Sequence, residues 1–451
     1  MGARAHRRWF GGGDGGRGGQ ANWLGKEQEF FVSTETLDDI TLSIFHQVQN
    51  SADLCVKCNI CTSHCPVANV TPKFPGPKFV GPQAQRFRNP HEISVDDSLD
   101  YCSGCGVCTM VCPHEVKVME MNAKARYKLY QRRGIPLRNR LLGRSELMGQ
   151  LASPVAPIAN FMAHLKPLRI LAEMMMGVHR DAPLPPFSFE TFRGWYKGIH
   201  QKRNGRKKTG QQVVYFHGCS TAYFEPHVGK AAVAVLEHNG FDVIVPEQVC
   251  CGLPMLSNAE FDAACHNAEK NVNSLVKYAR QGIPIVGTST SCTLSLKSDY
   301  RHILDLNTEP YELVARHTYD ICEFLLDLAD AGELKTDFKA VETTLPYHSP
   351  CQLKAHNMGL PAIDLMEMIP GVNIQHVQAE CCGIAGTYGY KKEKYQIGMD
   401  VGKPLFDQVK ASGSKVAVCD SETCRWQIAH ATGAKMIHPV ELLAQAYGLE
   451  Y

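Results

Sequence analysis

Two runs of cysteine carry the chemistry most plainly. Cys55, Cys58, Cys61 and Cys65, followed by Pro66, have the spacing C-x2-C-x2-C-x3-C-P, and Cys102, Cys105, Cys108 and Cys112, followed by Pro113, repeat it. An iron-sulfur cubane needs four soft thiolates, and small loop residues let three of them curl round one corner set with backbone N–H groups facing the sulfides. The proline after each fourth cysteine turns the chain away from the site. Structural zinc is the competing use, but it ordinarily takes two C-x2-4-C pairs rather than a triple run ending in Cys-Pro.

A second set of thiols follows a different rule. Cys219 precedes Cys250-Cys251-Gly252 by 31 positions, and Cys351 precedes Cys381-Cys382-Gly383 by 30; Cys292 and Cys424 then follow at 41 and 42 positions from Cys251 and Cys382. Adjacent cysteines repeated in register are hard to explain by packing, so Cys219, Cys250, Cys251, Cys292, Cys351, Cys381, Cys382 and Cys424 read as metal ligands gathered in two homologous lobes. Glycine after each pair permits a tight backbone, and a helix start near Cys292 or Cys424 would favour thiolate. Cys419 is a candidate further thiol for the second lobe. His217 and His348, close to the first cysteine of each lobe, are candidate ligands or proton donors, with a structural role as the plainer reading. Cys265 and Cys322 lack counterparts and read as buried structural thiols.

The elements that must position these residues fall into an α+β and α/β multidomain pattern. Residues 1–21, rich in Gly and Arg, read as a disordered tail; Arg7-Arg8 is followed by no apolar segment. Residues 22–145 form the double-cluster region, entered through an amphipathic helix within 22–50 that would cover a cluster. Between the two runs, the many prolines of residues 71–90 predict an ordered loop or a docking surface rather than a helix. The basic stretch Lys124, Arg126, Lys128, Arg132, Arg133, Arg138, Arg140 and Arg144 reads as a solvated helix face or as a site for an acidic partner or anionic headgroups. Residues 146–210 are a helical connector and linker, their apolar periodicity at Leu165–Met176 predicting a core-facing helix, with an interfacial or quinone-side surface as the alternative. From residue 211, short apolar runs alternate with amphipathic helices, the signature of a parallel sheet. Strands are expected at 213–216, 243–245 and 283–287, and the lobes at 211–335 and 336–451.

Composition narrows the function. The 451 residues contain 44% apolar side chains and 19 cysteines, which suits a chain of two or three domains that ligates metal in a reducing compartment. A net charge of +2 gives no global argument for nucleic acid. No run of eighteen apolar residues occurs, so membrane association would be peripheral or through a partner. No G-x-G-x-x-G or P-loop stands in a strand-to-helix setting, which leaves substrate oxidation and flavin binding to another chain.

The paired runs resemble bacterial ferredoxins, in which the fourth cysteine of each run serves the other cluster. Carried over to these positions, one [4Fe-4S] cluster takes Cys55, Cys58, Cys61 and Cys112, and the other takes Cys102, Cys105, Cys108 and Cys65. The lobes resemble the cysteine-rich CCG domains of the B subunit of heterodisulfide reductase and of iron-sulfur subunits of several flavin-linked dehydrogenases. That pattern ends in C-x2-C, where this sequence has Ser289 and Ser421 in place of one thiol. Four cysteines per lobe then imply a conventional iron-sulfur cluster or a zinc rather than a noncubane centre. The whole arrangement, with Pro75-Gly76-Pro77-Lys78, the Cys381–Tyr390 run, Glu422–Ile428 and Pro439–Tyr447, is similar to the iron-sulfur subunits of anaerobic glycerol-3-phosphate dehydrogenases. The resemblance implies an electron-transfer subunit of anaerobic respiration. FAD would reside on a partner flavoprotein dehydrogenase subunit beside a further associated subunit, with quinone as acceptor and a peripheral place on the cytoplasmic side of the cell membrane. Two alternatives remain at this point: the iron-sulfur subunit of a glycolate, lactate or succinate oxidising complex, and a catalytic subunit like that of heterodisulfide reductase.

Overall fold

The computed structural model describes residues 51–88, 96–203 and 210–451. The expected tail and the helix within 22–50 lie outside these residues. Two sheets of four parallel strands form the larger part. In the first, β1 (Gln212–Phe216), β2 (Asp242–Ile244), β3 (Ile285–Gly287) and β4 (Thr318–Asp320) lie in the order β2-β1-β3-β4; in the second, β5 (Thr343–His348), β6 (Val372–His376), β7 (Val416–Cys419) and β8 (Lys435–Ile437) lie in the order β6-β5-β7-β8. The runs Val213-Val214-Tyr215-Phe216 and Val416-Ala417-Val418 are apolar on both faces because helices cover both sides, the ordinary condition of a parallel strand.

The matching registers make the repeat quantitative. Phe216 pairs with Gly287 in the first sheet and His348 with Cys419 in the second, so both pairs, like Cys219 and Cys351, are offset by the same 132 positions. In each sheet the chain runs outward from the central strand in one direction to β2 or β6 and in the other to β3 or β7. The loops leaving the central strands therefore diverge at the carboxyl edge, where open α/β sheets bind their ligands.

The lobes are laced together by their last helices. Ile321–Asp330 packs on Pro361–Glu367 of the second lobe, and Pro439–Tyr447 packs on Pro226–His238 of the first. One buried cluster accordingly contains Tyr215, Val235 and Leu236 together with Tyr347, Leu365 and Leu443. Asp320 and His438 stop the preceding strands by capping these two helices, each in a capping box completed by Glu323 or Glu441.

Four expectations about the connecting segments change. The proline-rich stretch is helical around Phe79–Gln83, interrupted where Gly81 leaves helical geometry at φ −91°, ψ −107° immediately before Pro82. The basic stretch is a solvated face only in part: Arg132, Arg133 and Arg140 are exposed, while four of its other side chains are engaged within the fold. On the helix Val118–Arg133, Lys124 pairs with Asp305 at 2.9 Å and Arg126 donates to the Cys102 carbonyl at 3.0 Å; farther on, Arg138 meets Glu393 at 2.7 Å and Arg144 meets Glu260 at 2.8 Å. The segment expected to be a linker contains the helix Phe192–Arg203, whose Phe192 is buried among Tyr215 and Val228 of the first lobe.

The fourth change concerns the helices Ser145–Ala152, Ala156–His164 and Lys166–Met176. They turn their small and polar residues inward and their apolar residues out. Glu146 accepts the Cys250 amide at 2.7 Å, Gly149 lies so close to Tyr223 that a Cβ would come within 2.4 Å of its ring, Asn160 exchanges two hydrogen bonds of 2.8 Å with the Phe187 backbone, and buried Glu173 pairs with Arg180. Leu151, Ile158, Phe161, Met174 and Met175 are between 63% and 76% exposed. The core-facing reading of this stretch fails, and a broad apolar surface stands in its place.

Candidate iron-sulfur and cysteine-rich centres

The two ferredoxin-type runs build the same local shape. Lys57 and Asn59 in the first run, and Gly104 and Gly106 at the matching places in the second, have φ of 61°, 72°, 71° and 80°. Left-handed residues on either side of the second cysteine reverse the chain twice within a few residues, and a short helix then carries the third cysteine, Ile60–Ser63 or Val107–Met110. Lys57 and Asn59 hold this conformation without being glycine, at a cost of roughly 1–2 kcal/mol each. Both loops enclose a cavity. One is lined by Cys55, Cys58, Cys61 and Cys112, the other by Cys65, Cys102, Cys105 and Cys108. The fourth cysteine of each run thus lies with the three of the other run.

The donor set of each cavity fits a cubane. Four thiols line each cavity with no carboxylate among the lining residues, His114 being the one imidazole, in the first, and the Ala68 amide and the Asn122 side-chain amide point at Cys65 and Cys102 sulfur at 3.5 and 3.8 Å. Burial pushes the Cys65 thiol up to about 11, and burial with neighbouring thiols pushes Cys108 well above its ordinary value, so a positively charged centre would be needed to hold both as thiolates. The surroundings differ in depth. Cys58 is exposed in the first set, whereas Cys65, Cys102 and Cys108 are buried in the second.

The lobe cysteines arrive from the carboxyl ends of the central strands. Cys219 and Cys351 open the helices that follow β1 and β5, Cys292 and Cys424 sit in the first turns of the helices after β3 and β7, and the Cys-Cys-Gly turns place Gly252 and Gly383 at φ of 92° and 85°. Gly218, at φ 66°, lets the Cys292 sulfur come within 2.7 Å of the place where a Cβ would be. Cys219 and Cys250 sulfurs are 3.8 Å apart, and Cys382 and Cys424 sulfurs 3.1 Å apart. Spacings of this order suit several thiolates round one soft cation. The thiols at Cys292 and Cys424 are not lowered at their helix starts: the hydrogen bond with Cys251 and burial raise the first, and in the second the hydrogen bond with Cys382 lowers the thiol but the hydrogen bond with Cys419 and burial outweigh it. Cys381 is the thiol driven down, because Cys351, Cys382 and the Gly383 amide all donate to it.

Neither lobe keeps its thiols to itself. Cys219, Cys251 and Cys292 of the first and Cys351, Cys381, Cys382 and Cys424 of the second line one shared cavity of about 90 Å³, together with Ser103, Gly104 and Cys105 of the second ferredoxin-type loop. Cys105 therefore borders both this cavity and the one before it. Cys108 packs in turn with Cys55, Cys61 and Cys112 round Val116 and Val118. Three thiol-lined cavities adjoin in series, the first near the surface and the last between the lobes.

Other residues take unexpected places. Ser289 caps the helix of Cys292, accepting its amide at 3.4 Å, and Ser289 and Ser291 both donate to Glu422 of the other lobe at 3.2 and 3.3 Å. No spacing rule singles out Glu422 as a site residue; it lines the shared cavity, and burial raises its carboxyl. Cys419 ends β7 behind Cys424, inside an apolar cluster with Cys382 and Ile428, and does not line the cavity. The two histidines are not equivalents: at the repeat's offset of 132 positions His348 corresponds to Phe216, and His217 to Ser349. His217 is satisfied by the Gly218 carbonyl at 2.6 Å and by Arg193 at 3.1 Å. Both ring nitrogens of buried His348 lack a protein partner, and burial lowers its pKa to about 3, which leaves a neutral imidazole beside Cys381. Cys265 is half-buried on the helix Phe261–Ala279, apart from the cavity.

A helical dicluster region joined to two parallel-sheet lobes with cysteines at their carboxyl edges defines an iron-sulfur electron-transfer protein. Residues 51–116 match the family described as 4Fe-4S dicluster domain, and residues 213–297 and 345–429 each match that described as cysteine-rich domain. The chain is 37% identical over 398 residues to the C subunit of the anaerobic glycerol-3-phosphate dehydrogenase of Escherichia coli K12, covering 88% of this chain and 98% of that one. It is 30% identical over 249 residues to the B subunit of the fumarate reductase (CoM/CoB) of Methanothermobacter marburgensis, covering 53% and 47%. With lactate utilization protein A of an Exiguobacterium strain it shares 28% over 248 residues, 51% of this chain and 96% of the other. The chain belongs to the family of the C subunit of anaerobic glycerol-3-phosphate dehydrogenase. It is an iron-sulfur electron-transfer subunit of an oxidoreductase of that kind.

Proposed function

We propose that this chain takes single electrons from a flavoprotein partner at its exposed first cluster site, carries them inward, and delivers them from the shared cavity to quinone. The supporting observation is the series of adjoining thiol-lined cavities, in which Cys108 and Cys105 link one site to the next. Bound iron-sulfur clusters would supply one-electron storage at the two ferredoxin-type sites, with Cys55, Cys58, Cys61 and Cys112 holding one and Cys102, Cys105, Cys108 and Cys65 the other. The lobe thiols would hold a further cluster or zinc. The protein's own part is positional: the helix Val118–Arg133 fixes the second loop through Arg126, and Lys394, buried against Asp100 at 2.7 Å, keeps a charge beside it. By relation to the family, the donor is a FAD-bearing glycerol-3-phosphate dehydrogenase subunit with its associated subunit.

No described helix is long and apolar enough to cross a membrane. The apolar surface of Ser145–Met176 supports a peripheral seat on the lipid surface, on the cytoplasmic side that suits a thiol-rich chain. The disulfide-reducing alternative has less support, since Ser289 is committed to a helix cap and to Glu422.

Replacing Cys250 or Cys381 by serine, each in the full complex, tests the reading. Both ferredoxin-type signals should persist in electron paramagnetic resonance while quinone reduction is lost. Quinone reduction that survives both changes would make the lobes a scaffold.

A further inference from the structure

The joint between the two lobes contains a group that the electron path does not use. Asp320 at the end of β4, Cys322 two residues on, and Asp420 just past β7 bring one ligand atom each to within 4.8 Å of one another, and all three residues are fully buried. Each carboxylate is anchored by one oxygen only. Asp320 accepts the Cys322 amide at 2.9 Å as helix cap, and Asp420 accepts the Tyr347 hydroxyl at 2.6 Å. The second oxygen of each, Asp320 Oδ2 and Asp420 Oδ1, has no partner. The nearest cations are engaged elsewhere: Lys297 with Glu323, and Arg425 with Glu225 and with the Cys419 and Asp420 carbonyls.

The internal repeat supplies a control for this arrangement. Asp420 corresponds to Thr288, Asp320 to His438 and Cys322 to Val440, by the strand registers and the two capping boxes. At the mirrored joint Tyr215 meets the Thr288 hydroxyl at 2.8 Å, His438 meets the Thr288 carbonyl at 3.0 Å, and Val440 fills the space. That half is neutral and satisfied. The other half carries an acid, a second acid and a thiol at the same three places, all residue types that ligate cations, with one oxygen of each carboxylate left without a hydrogen-bond partner.

We propose that Asp320, Cys322 and Asp420 bind a divalent cation of the zinc class, which joins the first lobe to the second. Zinc takes carboxylate oxygen at about 2.0–2.2 Å and thiolate at about 2.3 Å in a tetrahedron, whose edges are then about 3.5 Å, so a modest contraction from the present spacing centres an ion. Calcium or magnesium suits the site poorly, because three buried ligand residues including a sulfur fall far short of their six or more oxygens, whereas zinc needs only one oxygen more, which a carboxylate bound through both its oxygens supplies. The rival arrangement requires no metal: a proton is shared between the carboxyls and the Cys322 thiol donates to Asp420.

The experiment is zinc and iron analysis of the anaerobically purified full-length chain, after supply of zinc and desalting, with X-ray absorption at the zinc edge. The expected result is zinc at about one per chain at this site, with a nearest shell of one sulfur and two or three oxygens. The variant Asp320→His, Cys322→Val, Asp420→Thr rebuilds the neutral joint already packed in the other half; zinc should fall by one equivalent with iron and acid-labile sulfide unchanged. Should that variant not fold, Cys322→Ser must remove the single sulfur from the shell. A wild-type chain without zinc, a zinc shell of sulfur alone, which would place the ion among the lobe cysteines, or zinc retained unchanged in the triple variant overturns the proposal.

Discussion

Replacing Gly218 by alanine isolates what close approach contributes to the first-lobe site. Two costs are built into the position. With φ at 66°, an L side chain pays roughly 1–2 kcal/mol for left-handed backbone. In addition, the new Cβ would stand 2.7 Å from the Cys292 sulfur, and ordinary contact begins at 3.4 Å, so the sulfur must retreat by about 0.7 Å. Metal sites tolerate ligand displacements of only about 0.2 Å. Gly240 provides the comparison, because at φ 90° it shares the backbone strain but has nothing within 4 Å of a Cβ. Both variants should therefore lose a similar 1–2 kcal/mol from the backbone term, while only Gly218→Ala should lose the first lobe's metal and quinone reduction. Thermal unfolding under anaerobic conditions, metal analysis and quinone-linked turnover in the complex give the three readings. Equal metal content and turnover in the two variants would refute the idea that Cys292 needs its present position.

Other outcomes follow from the same geometry. Cys58→Ser and Cys105→Ser should each remove one of the two ferredoxin-type signals and leave the other, as counted by electron paramagnetic resonance; unchanged iron in both would reject the crossed ligand sets. Burial lifts the Asp299 carboxyl to about 6, above its unfolded value near 3.8. The folded state then binds more protons between these values, so the group's contribution to stability is complete below about pH 4 and is lost as pH rises towards 6, by about 3 kcal/mol in all. Asp299→Asn should flatten that slope in denaturant titrations across pH 4–7, and an unaltered slope would contradict it. Changing Phe161 and Met175, 66% and 76% exposed, to glutamate should lower vesicle binding by roughly a hundredfold to ten-thousandfold, since each buried side chain of this size is worth about 1.5–3 kcal/mol; equal co-flotation with liposomes would remove the apolar surface from the membrane.

What could be read from sequence was what local rules determine. Ligand spacing within Cys55–Cys65 and Cys102–Cys112 is set by one loop each, and the apolar runs at 213–216, 243–245 and 283–287 reappear as β1, β2 and β3 with ends shifted by one or two residues. Long-range pairing escaped. Lys124, Arg144 and Arg138 of the basic stretch are neutralised by Asp305, Glu260 and Glu393, which lie more than a hundred residues away, so their charge looked free. The inward face of Ser145–Met176 is recognised by Tyr223, Cys250 and Phe187 rather than by apolar periodicity, which here marks the outside. His217 and His348 looked equivalent because both stand near a first cysteine, and a one-residue difference in register separates a satisfied core histidine from one with both nitrogens unused.

The repeat also explains why the two cysteine sets meet. Each lobe sends its thiols out from the carboxyl edge of its sheet, and each sends its last helix across to the other lobe. Crossing both helices ties the lobes by apolar contacts on one side, through Tyr215, Leu236, Tyr347 and Leu443. The carboxyl edges are then brought face to face, and Glu422 reaches from one half to the Ser289 and Ser291 hydroxyls of the other. A single lobe would leave its thiols in an open crevice. Closure against a second copy buries them; hydrogen bonds between neighbouring thiols, with burial added, raise most of them away from thiolate and so make a bound cation the condition under which they can remain charged. Divergence after duplication then has a physical outlet: once the lobes share one cavity, a residue such as Glu422 or His348 need be supplied by one half only.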